Sequence, residues 1–213
     1  MGADDYIQAS TTQNASNAKN AYTRQHIVEI ILKKFQHLPE TDRNFFSYSP
    51  IFLGINGAFA GLIANSLFRR LLNVSQGFIT SSLPMAALPF ITTVAAYTGV
   101  VSDALLSGDL NCQICAVVRG GLVGSVAGGL YPILLALPVN AGLAARYSTA
   151  LLPEKGNRLR FFITISQPVL KKMSYVLILQ AVFGIYLSSR QYNIYMKMLQ
   201  LPEHGVDVEE MND

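Results

Sequence analysis

Charged side chains disappear from four stretches of the chain: about Phe45 to Phe68, a part of Leu71 to Ser102, Gly120 to Ala145, and Met173 to Ser189. Each is near or above the ~18 apolar residues that read as a membrane-spanning helix. The pattern predicts an all-α polytopic integral membrane protein, a four-helix transmembrane bundle with a short amphipathic helix ahead of the first span. The second charge-free run is longer than one helix needs and is interrupted by Pro84 and Pro89. Its span is read as roughly Leu83 to Ser102, preceded by an interfacial or re-entrant piece around Val74 to Ser82. The two prolines lack an N–H, so they free backbone carbonyls that a neighbouring helix or water has to satisfy.

The flanks divide the rest of the chain. Residues 1–21 form a polar leader rich in Ser, Thr, Asn, Gln and Ala, too poor in apolar residues to order itself. The leader lacks the basic start and apolar core of a secretory signal and the arginines of a cleavable presequence, so targeting information is expected to be internal. In 22–44, Ile27, Ile30, Ile31, Phe35 and Leu38 recur at helical spacing while Arg24, Glu29, Lys33 and Lys34 occupy other faces, until Pro39 breaks the pattern. The four-span membrane domain is read over 45–190 and a C-terminal tail over 191–213.

Small residues mark the faces on which the spans should pack. Gly57 and Gly61 lie four apart in the first span, beside Gly54, Ala60 and Ala64. In the third, Gly120, Gly124 and Gly128 fall at four-residue intervals next to a row of Gly121, Ser125 and Gly129. In lipid, where no hydrophobic drive separates helix from solvent, close backbone approach across small residues supplies much of the association. Asn56 and Asn65 are expected to point inward, because an amide facing hydrocarbon is costly. Pro132 and Pro138 distort the second half of the third span, and the fourth carries Gln180 and Gly184.

Composition adds that 51% of the residues are hydrophobic and 14% charged, with a mean hydropathy of +0.32. The net charge of +3 comes from basic residues beside the spans, with no aromatic-interleaved stripe, so no nucleic-acid partner is predicted. Arg69 and Arg70 follow the first span. Arg146, Lys155, Arg158, Arg160, Lys171 and Lys172 surround the link after the third, against Glu154 alone. All eight are read as facing lipid or a partner. The positive-inside rule places these two links in one compartment, and both tails and the link from Asp103 to Arg119 in the other.

Chemistry is sparse. No acid, base or histidine sits well inside a span, which removes the usual mark of a pump or coupled transporter. His26, His37 and His204 are scattered at no metal-ligand spacing, and neither a phosphate loop nor a nucleophile elbow is present. The sequence predicts no enzyme, no cofactor and no metal. Cys112 and Cys115 form a C-x-x-C in the link between spans two and three, open to a reversible or structural disulfide, half a zinc site, or inert thiols.

Four longer strings carry a resemblance. They are Gly61 to Val74 (GLIANSLFRRLLNV), Leu83 to Thr93 (LPMAALPFITT), Gly128 to Tyr147 (GGLYPILLALPVNAGLAARY) and Ala150 to Asn157 (ALLPEKGN). Together with Gly108-Asp-Leu ahead of the two cysteines, they resemble the transmembrane protein 126 family, nearest its A branch, over roughly Leu38 to Pro202. The resemblance implies a multi-pass protein of the mitochondrial inner membrane. It implies an assembly factor for respiratory complex I, acting as a chaperone for a membrane-arm module, with nascent hydrophobic membrane-arm subunits, other assembly factors and membrane lipid as partners. On this reading the small-residue faces of spans one and three shield a client subunit. The rival is a small channel or carrier built around the proline-kinked spans.

Overall fold

The computed structural model describes residues 28–147 and 158–201. The polar leader, Lys155, His26, His204 and the chain beyond 201 lie outside the described residues. A first helix, α1, covers 28–36, and Pro39 separates it from α2, Glu40–Leu71. Then follow α3, Phe78–Tyr97, continued through a π-helical turn at Thr98–Ser102 into α4, Asp103–Leu106. The next crossing is α5, Gln113–Ser125, a second π-helical turn at Val126–Leu130, and α6, Tyr131–Tyr147. The last is α7, Arg158–Gln200. Four helical stretches are therefore long and apolar enough to cross a membrane, as the charge-free pattern predicts: Glu40–Leu71, Phe78–Leu106, Gln113–Tyr147 and Ser166–Gln200.

Each crossing helix runs past its charge-free block at one end or both. The hydrocarbon layer sets where charges stop, but backbone pairing continues into the interface, so α2 begins with Glu40 and Asp42 near its positive dipole end and closes on Arg69 and Arg70 near its negative one. The second helix starts at Phe78, capped by Gly77 at φ 67°, and no separate re-entrant piece precedes it. The fourth continues past Arg190 to Gln200 instead of giving way to a tail. Tyr192, Tyr195 and Met198, at helical spacing, are buried together with Ile31 and Leu38 of the α1 segment and Leu105 and Leu110 of the α4 link. The amphipathic helix thus docks on the end of the bundle, with Phe35 edge-on to Phe46 at 5.3 Å.

Two antiparallel pairs build the core, α2 with α3 and α5 with α7, and α6 joins α2 on a second apolar cluster centred on Phe68, Met85, Ile133 and Met173. Outward faces carry exposed Ile55, Phe59, Ile91, Leu134 and Ile178, the arrangement expected when lipid rather than water is the solvent.

Candidate functional site: glycine faces and a buried polar chain

The glycines named from spacing all lie at helix contacts. A Cβ on Gly61 would fall on the carbonyl of Met85, and one on Gly57 would come 2.9 Å from Thr93 Oγ1. Met85 lies four residues before Pro89, which has no N–H to offer that carbonyl. Gly61 leaves room for that carbonyl against α2. On the other pair, a Cβ on Gly124 would meet the carbonyl of Gln180, one on Gly120 would meet Ser188 and Gly184, and one on Gly184 would meet the carbonyl of Gly120. Backbone therefore touches backbone between α5 and α7.

Regular four-residue spacing ends at the π-helical turn. Pro132 cannot bond back to Gly128, and the extra residue of the turn rotates the face. Gly129 meets Leu177 of α7, while Gly128 faces the Gln180 side chain of α7 and Thr93 of α3 and lies against Gly57. The five glycines thus hold the protein's own helices together. This corrects the expectation that they shield a client, because their faces are already occupied.

Between the helices runs a chain of buried polar groups. The Arg69 guanidinium donates from Nη1 to Ser81 Oγ at 3.0 Å, and from Nη2 to the carbonyls of Ser75 and Gln76, both at 3.0 Å. Asn65 Nδ2 donates to Ser81 Oγ at 3.2 Å and Ser82 Oγ at 3.3 Å. Asn140 Nδ2 donates to Asn65 Oδ1 at 2.8 Å and to the Ala136 carbonyl at 2.9 Å. These bonds tie α2, α3 and α6. Asn65 points inward as expected. Asn56 does not, and instead donates to the Phe52 carbonyl one turn back at 2.8 Å, which satisfies the amide without a second helix.

A second tie joins α2 to α7. Gln191, fully buried, donates from Nε2 to the Phe46 carbonyl at 2.9 Å and to Ser102 Oγ at 3.3 Å. Phe46 precedes Pro50 by four residues, so its carbonyl has lost its helical donor and Gln191 replaces it. Sequence reading missed Gln191, Asn140 and Ser81. Pro50 was the available signal for the first, since an interior proline demands a donor for the carbonyl one turn earlier. Among the described residues, Thr93 Oγ1 and Gln180 Oε1 are buried without a hydrogen-bond partner.

The basic residues separate into two groups. Arg70, Arg146, Lys171 and Lys172 are exposed at the end of the bundle where α2 and α6 finish, whereas Arg69 is only 7% exposed and is folded onto the α2–α3 turn. Reading Arg69 as facing lipid or a partner missed the carbonyls this turn presents to it. Arg158 and Arg160 lie in the first turn of α7. At the opposite end, Lys197 Nζ donates to Asp42 at 3.1 Å.

Cys112 and Cys115 are exposed free thiols at the start of α5. Cys112 is the N-cap residue, and its sulfur accepts the Cys115 amide N–H at 3.5 Å. Hydrogen bonding from the Cys115 side chain, then from its backbone, pulls the Cys112 pKa below the ordinary thiol value. No group of three or more His, Cys, Asp and Glu suited to a metal occurs among the described residues.

An apolar groove of about 630 Å³ opens laterally between α2 and α7, lined by Phe45, Tyr48, Phe52, Phe183 and Tyr186. Phe52 meets Phe183 edge-on at 5.6 Å on its floor, and Arg190 lies over the Phe45 ring at 5.7 Å.

A family model described as Transmembrane protein 126 matches residues 25–205. Transmembrane protein 126A of Mus musculus is 54% identical over 182 residues, 85% of this chain and 93% of that protein. Its counterpart from Homo sapiens is 51% identical over 178 residues, 84% and 91% of the two chains. The protein of Homo sapiens named Complex I assembly factor TMEM126B, mitochondrial, is 34% identical over 182 residues, 85% of this chain and 78% of that one. No solved structure matches.

Proposed function

Since the chain belongs to the transmembrane protein 126 family, we propose that it is a complex I assembly factor of the mitochondrial inner membrane, holding a hydrophobic membrane-arm module until its neighbours arrive. The observation that carries this reading is the 34% identity to a relative named for that activity, over most of both chains. The geometry supports a holding role. Each glycine face is spent internally, leaving large outward side chains and the aromatic groove between α2 and α7 as the surface for a partner helix. Aromatic walls offer apolar area at small entropic cost, and the tyrosine hydroxyls can meet a polar group on the client.

In this arrangement the protein is a scaffold and turns over no substrate. The topology proposed with it keeps Arg69, Arg70 and the 146–172 link on the matrix side and both termini in the intermembrane space. The test is removal of the protein from cells followed by native gels. Loss of assembled complex I, with subassemblies lacking part of the membrane arm and other respiratory complexes near normal, is the expected result. Re-expression of a chain carrying Phe183→Ala and Tyr186→Ala should restore protein level but not complex I. Normal complex I in the knockout, with no paralogue compensating, overturns the reading and favours a channel or carrier.

A further inference from the structure

We propose that the turn between α2 and α3 is a phosphate-binding site at the membrane surface, in which Arg69 and Arg70 together receive the phosphate of a lipid headgroup or of free phosphate. The starting point is a charge without an opposite. A guanidinium stays protonated at every physiological pH. Arg69 carries one into a site only 7% exposed, yet the acceptors it meets are neutral: a serine hydroxyl and two backbone carbonyls. Lys33 pairs with Glu29 and Lys197 with Asp42 at the other end of the bundle. These neutral acceptors take three of the five N–H donors and leave the net charge unopposed, and a buried charge calls for a counter-charge.

The surroundings raise the positive potential further. Arg70 is the next residue and is exposed. The amino end of α3 opens onto the same turn with no acid in its first turn, and its dipole is opposed by that of the carboxyl end of α2, so the excess positive charge is that of the two arginines. Beside Arg69 lies a cleft of about 310 Å³, lined by Ser66, Arg69, Arg70, Asn73, Ser75 and Phe78. Hydroxyl and amide donors beside two guanidinium groups match the several acceptor oxygens of a phosphate. Arg70 is shared with an adjoining cleft that Lys172 also lines. Depth agrees, since the turn joins one spanning helix to the next and falls at headgroup level. Phe78, 63% exposed beneath the Arg69 guanidinium at 5.5 Å, offers an apolar neighbour to an acyl chain.

The experiment uses the purified full chain in detergent, mixed with equal amounts of dioleoylphosphatidylglycerol and dioleoylphosphatidylcholine, with retained lipid read by native mass spectrometry. Inorganic phosphate is tested separately as a stabiliser against heat. Arg70→Gln removes a charge. Ser66→Phe fills the cleft while keeping every charge, and Arg146→Gln removes an exposed charge at the same end of the bundle but outside the cleft. Thermal unfolding without phosphate checks that each variant folds. Both headgroups carry a phosphate, but the trimethylammonium of phosphatidylcholine would lie against the second guanidinium, so phosphatidylglycerol should be enriched about tenfold in the parent, the scale of one charge-assisted hydrogen bond. That preference should fall to near parity in Arg70→Gln and Ser66→Phe and persist in Arg146→Gln. If lipid preference is insensitive to the cleft but inorganic phosphate stabilises the parent and not Ser66→Phe, the site stands with free phosphate as its source. If Ser66→Phe retains both responses, or Arg146→Gln loses as much as Arg70→Gln, the effect is diffuse surface charge and the site is refuted.

Discussion

Gly184→Ala adds one methyl group at one of the closest backbone contacts in the bundle. The new Cβ would fall on the carbonyl oxygen of Gly120, 2.8 Å from its carbon and 3.4 Å from the Gly121 nitrogen. The obstacle is backbone inside a helix, so no rotamer change relieves it. Because the oxygen lies nearer than its carbon, restoring ordinary contact means moving α5 and α7 apart by at least about 1 Å, a gap that forfeits a quarter to a half or more of each affected dispersion contact. With roughly 40 such atom pairs at about 0.1–0.2 kcal/mol each, the loss is on the order of 1–4 kcal/mol, similar to the ~1–3 kcal/mol typical of overpacking. Alanine's better helix propensity returns up to about 1 kcal/mol. The net expectation is destabilisation by about 1–3 kcal/mol. The control is Gly142→Ala, where a Cβ meets nothing within 4 Å and the propensity gain stands alone. Unfolding in detergent by titration with sodium dodecyl sulfate, followed by circular dichroism, ranks the three proteins. Gly184→Ala matching the parent, or Gly142→Ala falling as far, would refute backbone contact between these helices.

Gln191→Leu should cost about 1–3 kcal/mol in the same assay, because it strands the Phe46 carbonyl that Pro50 cannot serve; a neutral result would mean that water or another group replaces the glutamine. Cys112 should be alkylated faster than Cys115 at neutral pH, with a rate profile rising at a lower pH than an ordinary thiol, since the reactive thiolate is favoured by the Cys115 hydrogen bonds. Equal rates for the two thiols, measured by peptide mass spectrometry, contradict that asymmetry. If Cys112 and Cys115 form a bridge in the cell, rapidly quenched mitochondria will show both alkylated only after reduction. A C-terminal tag should be removed by protease once the outer mitochondrial membrane is opened, and its protection would reverse the proposed orientation.

Much of the architecture was legible because charge and hydrocarbon exclude each other, and four charge-free blocks give four crossings. The ends were less so. Beyond the hydrocarbon layer polar residues return while the helix continues, and the apolar Tyr192, Tyr195 and Met198 pack on α1 and α4 in a stretch that composition reads as a tail. Glycine spacing announced close helix approach at Gly57, Gly61, Gly120 and Gly124, but spacing carries no information on the partner, which proved to be α3 or α7 of the same chain. Asn56 and Asn65 look alike in sequence, and what separates them is whether a serine stands opposite: Ser81 and Ser82 meet Asn65, while Asn56 is left with its own helix. Burial of Arg69 depended on carbonyls presented by a turn that only the fold creates.

The pairing of α5 with α7 also sets an order of events during biogenesis. The glycine row of α5 precedes α7 in the chain, and the intervening α6 does not cover it. Until Gly184 arrives, the bilayer holds a helix whose backbone carbonyls and α-carbons are open to any other small-residue helix nearby. A chain interrupted within the 148–157 link would therefore be complete in three crossings and yet adhesive, a substrate for quality control rather than a smaller working protein. Insertion of α7 closes that face and, through Gln191, delivers the donor that Phe46 has lacked since the first crossing. The last helix is thus the step at which both early helices become finished.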